Sequence, residues 1–298
     1  MIVLGSANMD IVARTERAPA AGETVLGRDY ALYPGGKGAN QAVAARRAGA
    51  AINFIGCLGR DAYGEALVHA LTVEAIDCAA TIRTATPTGI AIITVEAGGE
   101  NRIIVIPGAN HDLTPDHLPP ALPPATILLT QLEIPIPTVL AAAARVRAAG
   151  GTTILNASPI AGIDAATSTR LRAAADILLV NETEAAALLG LPHLNDAAQA
   201  AASLAAGHRA AIITLGADGV VWASEHGTFA LKCHDVAVVD TTGCGDAFAG
   251  GFASALERGA TLAEAVAFGN AAGALAATKP GAQPAMPSQA EITALLTN

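Results

Sequence analysis

"VVDTTGCGDAFAGGFASAL", Val238 to Leu256, changes character halfway along. It begins as a β-branched run, passes two threonines, turns at Gly243-Cys244-Gly245-Asp246 and continues as a helix of mostly small residues. A helix N-terminus presents unpaired backbone N–H groups and the positive end of the helix dipole, so it can hold an anion. With no bulky side chain in the way, a ligand reaches the backbone itself. One acid left in such a place points to chemistry, with simple helix capping as the alternative.

Upstream, unbroken apolar runs at residues 2–5, 52–57, 127–130, 153–156, 177–181 and 211–215 read as buried strands. Alanine-rich segments at 38–48, 64–74, 137–149, 182–189 and 197–206 read as helices, the third bracketed by Pro137 and Gly150-Gly151. Strands without a period of two, alternating with helices, predict an α/β fold with a mainly parallel sheet covered on both faces. A hairpin at 220–223 and 228–231 and helices at 245–257 and 262–277 close it. Two stretches break the rhythm: "IVARTERAPAAGETVLGRDYALYP" (11–34) and "TGIAIITVEAGGENRIIVIPGAN" (88–110). They read as exposed strands, the second with a hairpin turn at Ala97-Gly98-Gly99-Glu100. Together they predict a small antiparallel flap, either a lid or plain edge strands, on a single domain spanning 1–298. The lid segments would be approximately 11–34 and 88–107.

Composition narrows the partners. A formal net charge of −9 leaves no basic stripe to neutralise nucleic-acid phosphates, although local dipoles can still hold a small anion. Cys57, Cys78, Cys233 and Cys244 show no paired metal spacing and, with no secretory leader in MIVLGSANMD, read as reduced thiols in a cytoplasm. The most apolar stretch, 263–277, is interrupted by Asn270 and glycines and is too short for a bilayer, so no membrane partner is expected.

Polar residues collect where strands end, which is where open α/β sheets bind ligands. Asn8 and Asp10 follow the first strand and Glu133 the third; Asn156 ends the fourth. Asn181 and Glu184 follow the fifth, and Thr214-Leu215-Gly216-Ala217-Asp218-Gly219 the last. Each alone also fits a cap or a turn. "PGGKGANQA", Pro34 to Ala42, is a second glycine cluster opening a helix, in which Gly35, Gly36 and Gly38 allow close approach and Lys37 and Asn40 offer donors. It lacks the Lys-Ser/Thr of a phosphate-binding P-loop, and no dinucleotide glycine pattern follows the first strand. Carboxylates and amides at Asn8, Asp10, Asn40 and Glu133 suit a neutral polyol; a tight turn plus helix cap is the plainer alternative.

"PGGKGANQA" and "DTTGCGDAFAGGF" resemble the two signature regions of the PfkB carbohydrate kinase family, in its ribokinase branch. The likeness runs over essentially the whole chain, through "GSANMD" (5–10), the 88–110 stretch, "NETEAAALL" (181–189) and "KPGAQPAMP" (279–287). The resemblance implies a ribokinase-like fold and ATP-dependent phosphorylation of the ribose 5-hydroxyl. It implies that Asn8, Asp10, Gly36, Lys37, Gly38, Ala39, Asn40 and Glu133 hold the sugar. Asn181, Glu184, Thr214, Leu215, Gly216, Ala217, Asp218, Gly219, Gly245 and Asn270 would line the nucleotide site, with Glu184 acting through the shell of Mg2+. Asp246 would be the base, beside an anion hole of Gly243, Cys244 and Gly245. The helix dipole would keep it ionised, hence a weak base that takes the proton late.

A monovalent cation, K+, would sit among Asp240, Thr242, Ala276, Lys279, Gly281 and Ala285. Relatives often have serine at the last position, and a more usual alanine where Cys244 stands, its N–H serving regardless. The family also implies a homodimer through the lid. Within the fold, a nucleoside kinase or a kinase of another pentose or hexose is the rival. Few aromatics (Tyr30, Tyr33, Phe54 and Trp222 among them) are available for a base pocket. A sugar-binding regulatory protein on a kinase fold would be expected to have lost the "GCGD" that stands intact here.

Overall fold

The computed structural model describes residues 1–120, 122–123 and 126–297. The first part of the chain forms β1 (Ile2–Leu4), β2 (Asn8–Thr15), β3 (Gly27–Gly35), α1 (Lys37–Arg47), β4 (Asn53–Ile55), β5 (Cys57–Gly59), α2 (Ala62–Val73), β6 (Ile82–Thr84), β7 (Gly89–Val95) and β8 (Asn101–Ile106). It continues through β9 (Ile127–Thr130), α3 (Ile136–Ala148), β10 (Thr152–Asn156), α4 (Ala165–Ala174), β11 (Ile177–Asn181), α5 (Glu182–Leu189) and α6 (Ala197–Ala205). The last part comprises β12 (Ala210–Thr214), β13 (Val220–Ser224), β14 (Gly227–Leu231), α7 (Cys244–Glu257), α8 (Leu262–Ala276) and α9 (Gln289–Thr297).

The main sheet runs β14-β13-β12-β11-β10-β9-β1-β4, parallel from β12 to β4 and antiparallel at the β13–β14 edge. Alternate residues of one strand enter two different cores, which is why the strands are apolar without a period of two. Val3, Leu129, Leu179 and Ile212 pack with α1, α7 and α8 through Val43, Phe252 and Val266. Leu4, Leu128, Leu178 and Ile213 pack on the other face with Val139, Leu188 and Leu204 of α3, α5 and α6.

Three departures from the sequence pattern stand out. The run at 52–57 is two strands: β4 stays in the main sheet, and after Gly56 the chain leaves to pair β5 with β6. The small sheet, in order β3-β2-β7-β8, is antiparallel in its two hairpins but parallel at the β2–β7 seam. β2 and β7 are separated by a long crossover through α1 and α2, the connection a parallel pair requires. Finally, α4, α9 and β6 carry too weak a pattern to read; α4 buries only Leu171 and α9 only Ile292. Among the described residues, no helix is long and apolar enough to cross a membrane.

Two glycines bring the helices α1 and α7 into place. A Cβ on Gly38 would lie 2.6 Å from the Gly5 carbonyl carbon and the Ser6 nitrogen, so the start of α1 rests directly on the chain leaving β1. A Cβ on Gly250 would lie 2.5 Å from the Ala44 Cβ, 2.6 Å from the Ala45 nitrogen and 2.8 Å from the Gln41 oxygen, so α7 crosses α1 backbone to backbone. Gly250→Val drives a branched side chain into that seam. It is expected to cost about 1–3 kcal/mol or more through overpacking, read as a lower urea midpoint at unchanged m-value.

Candidate active site

The C-terminal ends of β10, β11 and β12 and the N-termini of α1, α5 and α7 converge on one cleft. It is lined by Lys37, Asn156, Asn181, Glu184, Thr214, Gly243, Gly245 and Asp246 among others. A hollow of about 730 Å³ lies at the opposite ends of the strands near Met1, Asn53 and Arg209, remote from these side chains.

Asp246 is the third residue of α7, whose N-cap is Gly243 with φ +78°. Its carboxylate turns away from its own helix: Asn40 Nδ2 donates to Oδ2 at 3.0 Å and Gln41 Nε2 to Oδ1 at 2.9 Å. Capping therefore does not explain the residue. Burial pushes its pKa up, against the pull of Lys37 and of the Gln41 and Asn40 donors. That corrects the dipole expectation, because removal from water outweighs the helix end and makes Asp246 a better base than an ordinary aspartate.

Among the described residues, the N–H groups of Gly243, Gly245 and Asp246 have no acceptor, whereas Cys244 N–H donates weakly to the Thr241 carbonyl at 3.3 Å. The open donors of the helix head are thus those around Cys244 rather than its own. A Cβ on Gly245 would meet nothing within 4 Å. Packing does not demand a glycine there; its absence of a side chain leaves the cleft open.

On one side stand the groups expected to hold a polyol. Ser6 Oγ donates to Glu133 Oε2 at 2.5 Å, and the Lys37 N–H donates to the same oxygen at 3.1 Å, pinning Glu133 to the start of α1. Asn110 Nδ2 donates to Asn8 Oδ1 at 2.7 Å, which leaves the Asn8 NH2 for a ligand. Asp10, beside Gly35, is pushed up to about 7 by burial and then by the charges of Glu133 and Asp246. Burial disfavours the Lys37 ammonium, but Asp246, Glu133 and Glu184 more than compensate and raise its pKa, so it stays charged. Gly36, with φ +88°, caps α1 and brings these groups in. Ala39 is different: it is wholly buried and its N–H is spent on the Ser6 carbonyl, so it serves the fold.

On the other side, Asn181 and Glu184 hold each other in a capping box, Glu184 N–H to Asn181 Oδ1 at 2.8 Å and Asn181 N–H to Glu184 Oε2 at 2.9 Å. Thr214 lines the cleft, and Leu215 to Gly219 form the tight turn leading out of it, closed by Leu215 N–H to Gly219 C=O at 2.8 Å. Asn270 lies apart from that lining; it is buried and its amide donates to the Lys232 carbonyl at 2.8 Å.

The loop assigned to a monovalent cation comes together as well. Asp240 accepts from Thr242 N–H at 2.9 Å and Gly281 N–H at 2.8 Å. Desolvation raises its pKa, but these bonds outweigh that and lower it overall. Lys279 N–H donates to the Ala276 carbonyl, while its ammonium pairs with Glu291 at 2.9 Å. Ala285 is wholly buried in the apolar core.

Sequence reasoning missed four residues. Ser6, Gln41, Asn110 and Gln131 are all essentially buried polar side chains that hold others in place. Gln41 stood within the quoted "PGGKGANQA", a lone glutamine entering an alanine face, and that mismatch was the available signal.

The model of the pfkB family carbohydrate kinases matches residues 1–289. The ribokinase of Staphylococcus aureus is 36% identical over 301 aligned residues, covering 98% of each chain. That of Haemophilus influenzae is 38% identical over 301, covering 98% of this chain and 96% of its own. The structure of Arabidopsis thaliana ribokinase complexed with ribose and ATP superposes with a TM-score of 0.88 at 32% identity, covering 100% of this chain and 98% of that one.

The carboxylate cluster makes its own prediction. The Asp10 carboxyl is expected to titrate near 7 in 13C spectra of the free protein, and Glu133→Gln, by removing the strongest like charge, is expected to lower that midpoint.

Proposed function

The chain belongs to the pfkB family of carbohydrate kinases, and from that premise we propose that it transfers the terminal phosphoryl group of ATP to the 5-hydroxyl of D-ribose, giving ribose 5-phosphate and ADP. The observation that carries this reading is the buried Asp246 carboxylate, gripped by two amides at the head of an open helix, with polyol acceptors on one side and a phosphate-sized cleft on the other. The choice of ribose is supported by relatives named ribokinases at 36–38% identity.

Asn8, Asp10, Asn40 and Glu133 bind the sugar hydroxyls, and Asp246 orients the attacking one. The new O5–P bond forms as the bond from phosphorus to the ADP oxygen breaks, and the hydroxyl proton passes to Asp246. The free N–H groups at the head of α7 and the Lys37 ammonium face the charge that moves onto the phosphoryl oxygens. Losing one well-placed donor of this kind costs about 3 kcal/mol of transition-state stabilisation.

Magnesium, when bound, neutralises the phosphate oxygens. Glu184 suits its water shell, being a buried carboxylate on the cleft with one oxygen tied to Asn181 N–H and the other left over. The monovalent-cation loop offers Asp240 and main-chain carbonyls, but the Ala285 methyl supplies no oxygen, so K+ would be held with one side-chain ligand fewer.

The four-stranded sheet acts as a lid over the sugar. Leu32, Ile11, Ile92 and Ile104 form one cross-strand row on a single face, and three of them are exposed: Leu32 by 44%, Ile92 by 38% and Ile104 by 62%. Cover by a second lid makes the protein a homodimer. Four free cysteines and ATP chemistry fit a cytoplasmic enzyme.

Coupled ADP release, with and without K+, against ribose, deoxyribose, fructose, adenosine and cytidine tests the acceptor. Ribose is expected to give the highest kcat/KM, and no release with any of them would favour a sugar-binding regulator. Asp246→Asn is expected to lower kcat by at least about 10²-fold while ATP still binds by calorimetry. For the lid, light scattering at micromolar concentration is expected to give the dimer mass, and Ile104→Asp the monomer mass.

A further inference from the structure

The base does not sit alone. Gln41, fully buried on α1, donates its Nε2 to two oxygens at once, Asp246 Oδ1 and Asn156 Oδ1, each at 2.9 Å. Its Oε1 accepts from Nε2 of Gln131, the fully buried residue that comes just after β9. The amide orientations along this chain are forced outward from the carboxylate. An ionised Asp246 can only accept, so Gln41 must present its NH2 there and its carbonyl to Gln131. Asn156 agrees, since its own NH2 is committed to the Leu179 carbonyl at 3.2 Å and its Oδ1 is therefore the acceptor. Gln131 must then turn its NH2 inward, and its Oε1 is left buried without a partner among the described residues. Only a glycine at position 5 admits that oxygen, because a Cβ there would stand 2.0 Å from it.

A buried carbonyl without a partner is destabilising, and apolar side chains of similar volume at both 41 and 131 would avoid the cost. The fold keeps it where it propagates a fixed orientation to the reacting carboxylate. We propose that Gln41, locked by Gln131, is a positioning residue for the phosphoryl transfer. It fixes the rotation of the Asp246 carboxylate so that the lone pair left free by Asn40 and Gln41 meets the sugar hydroxyl. The proposal rests on Asp246 being the base of a sugar kinase. The charged groups around that carboxylate are Lys37 from α1, Glu133 after β9 and Asp10 from β2; none of them touches Gln41 through a hydrogen bond among the described residues.

The test uses the full chain and two volume-conserving variants, Gln41→Met and Gln131→Met, assayed from pH 5 to 9 with the best acceptor of the parent. Removing a donor from the carboxylate raises its proton affinity, and the base works only when ionised, so the acid limb of kcat moves to higher pH. Gln41→Met is expected to lower kcat by about 10- to 100-fold with that limb displaced upward and ATP binding unchanged. Gln131→Met discards one orphaned carbonyl but takes the donor from Gln41 Oε1, so Tm is expected to change little while kcat falls, with a smaller displacement in the same direction. A merely structural role would give lower Tm and a pH-independent loss; that result, or parental kcat in both variants, overturns the proposal. Should Gln41→Met fail to fold, Gln131→Met at the far end of the chain decides. A parent inert on every acceptor overturns the functional reading itself, whereas an active parent with unmoved variants overturns only the role of Gln41.

Discussion

The site depends on one seam, the crossing of α7 over α1 that Gly250 allows. Helices normally pack 8–10 Å apart, with side chains between them. Here the contact reaches the backbone, which carries the first turn of α7 into range of Asn40 and Gln41. Every property of Asp246 derives from that approach. The crossing buries the carboxylate, which raises its proton affinity, and it supplies the two amides that keep a buried charge tolerable. A wider crossing would return the acid to water and leave an ordinary N3 aspartate.

The electrostatics of the cleft are uneven, as the proposed chemistry requires. Asp246, Glu133 and Glu184 act on the Lys37 ammonium, and Asp10 feels Glu133 and Asp246 in turn. Carboxylates suit the hydroxyls of a sugar, which donate, but they repel a triphosphate. The main chain resolves the conflict, because N–H groups at a helix head attract phosphate oxygens without adding a cation that would depress the base. Lys37 feels carboxylates of both halves, Glu133 on one side and Glu184 on the other. With burial and then its charged neighbours pushing Asp10 to about 7, part of the negative charge is already relieved by a proton before any ligand arrives.

A physical division separates what the residues alone disclose from what they conceal. Strands buried on both faces announce themselves through unbroken apolar runs, and β9 and β11 fall where the runs at 127–130 and 177–181 lie. Backbone-driven chemistry is equally legible, since glycines are written into "PGGKGANQA" and "DTTGCGDAF". What stayed hidden depends on partners distant in sequence. The split after Gly56 needs β6, and the parallel seam of the small sheet needs the crossover between β2 and β7. The raised proton affinity of Asp246 needs burial, which no local pattern reports. Gln41 and Gln131, 90 residues apart, are unremarkable until the fold places one against the other.

Amides are also the right chemistry for holding the carboxylate proposed as the base. An arginine in place of Gln41 would grip the carboxylate harder, with two charge-assisted bonds. It would also pull the pKa down, and a carboxylate so stabilised would take a proton from an alcohol less readily. Neutral donors fix direction while leaving burial to set basicity. Lys37 still tempers that basicity from farther off, as a charge without a hydrogen bond to the carboxylate among the described residues. Orientation and proton affinity are thereby governed by different parts of the fold, the first by an amide chain ending at β9 and the second by the α1–α7 seam. In a loose transition state, where the proton moves late and the geometry of the attacking oxygen matters most, that separation lets position be specified without weakening the base.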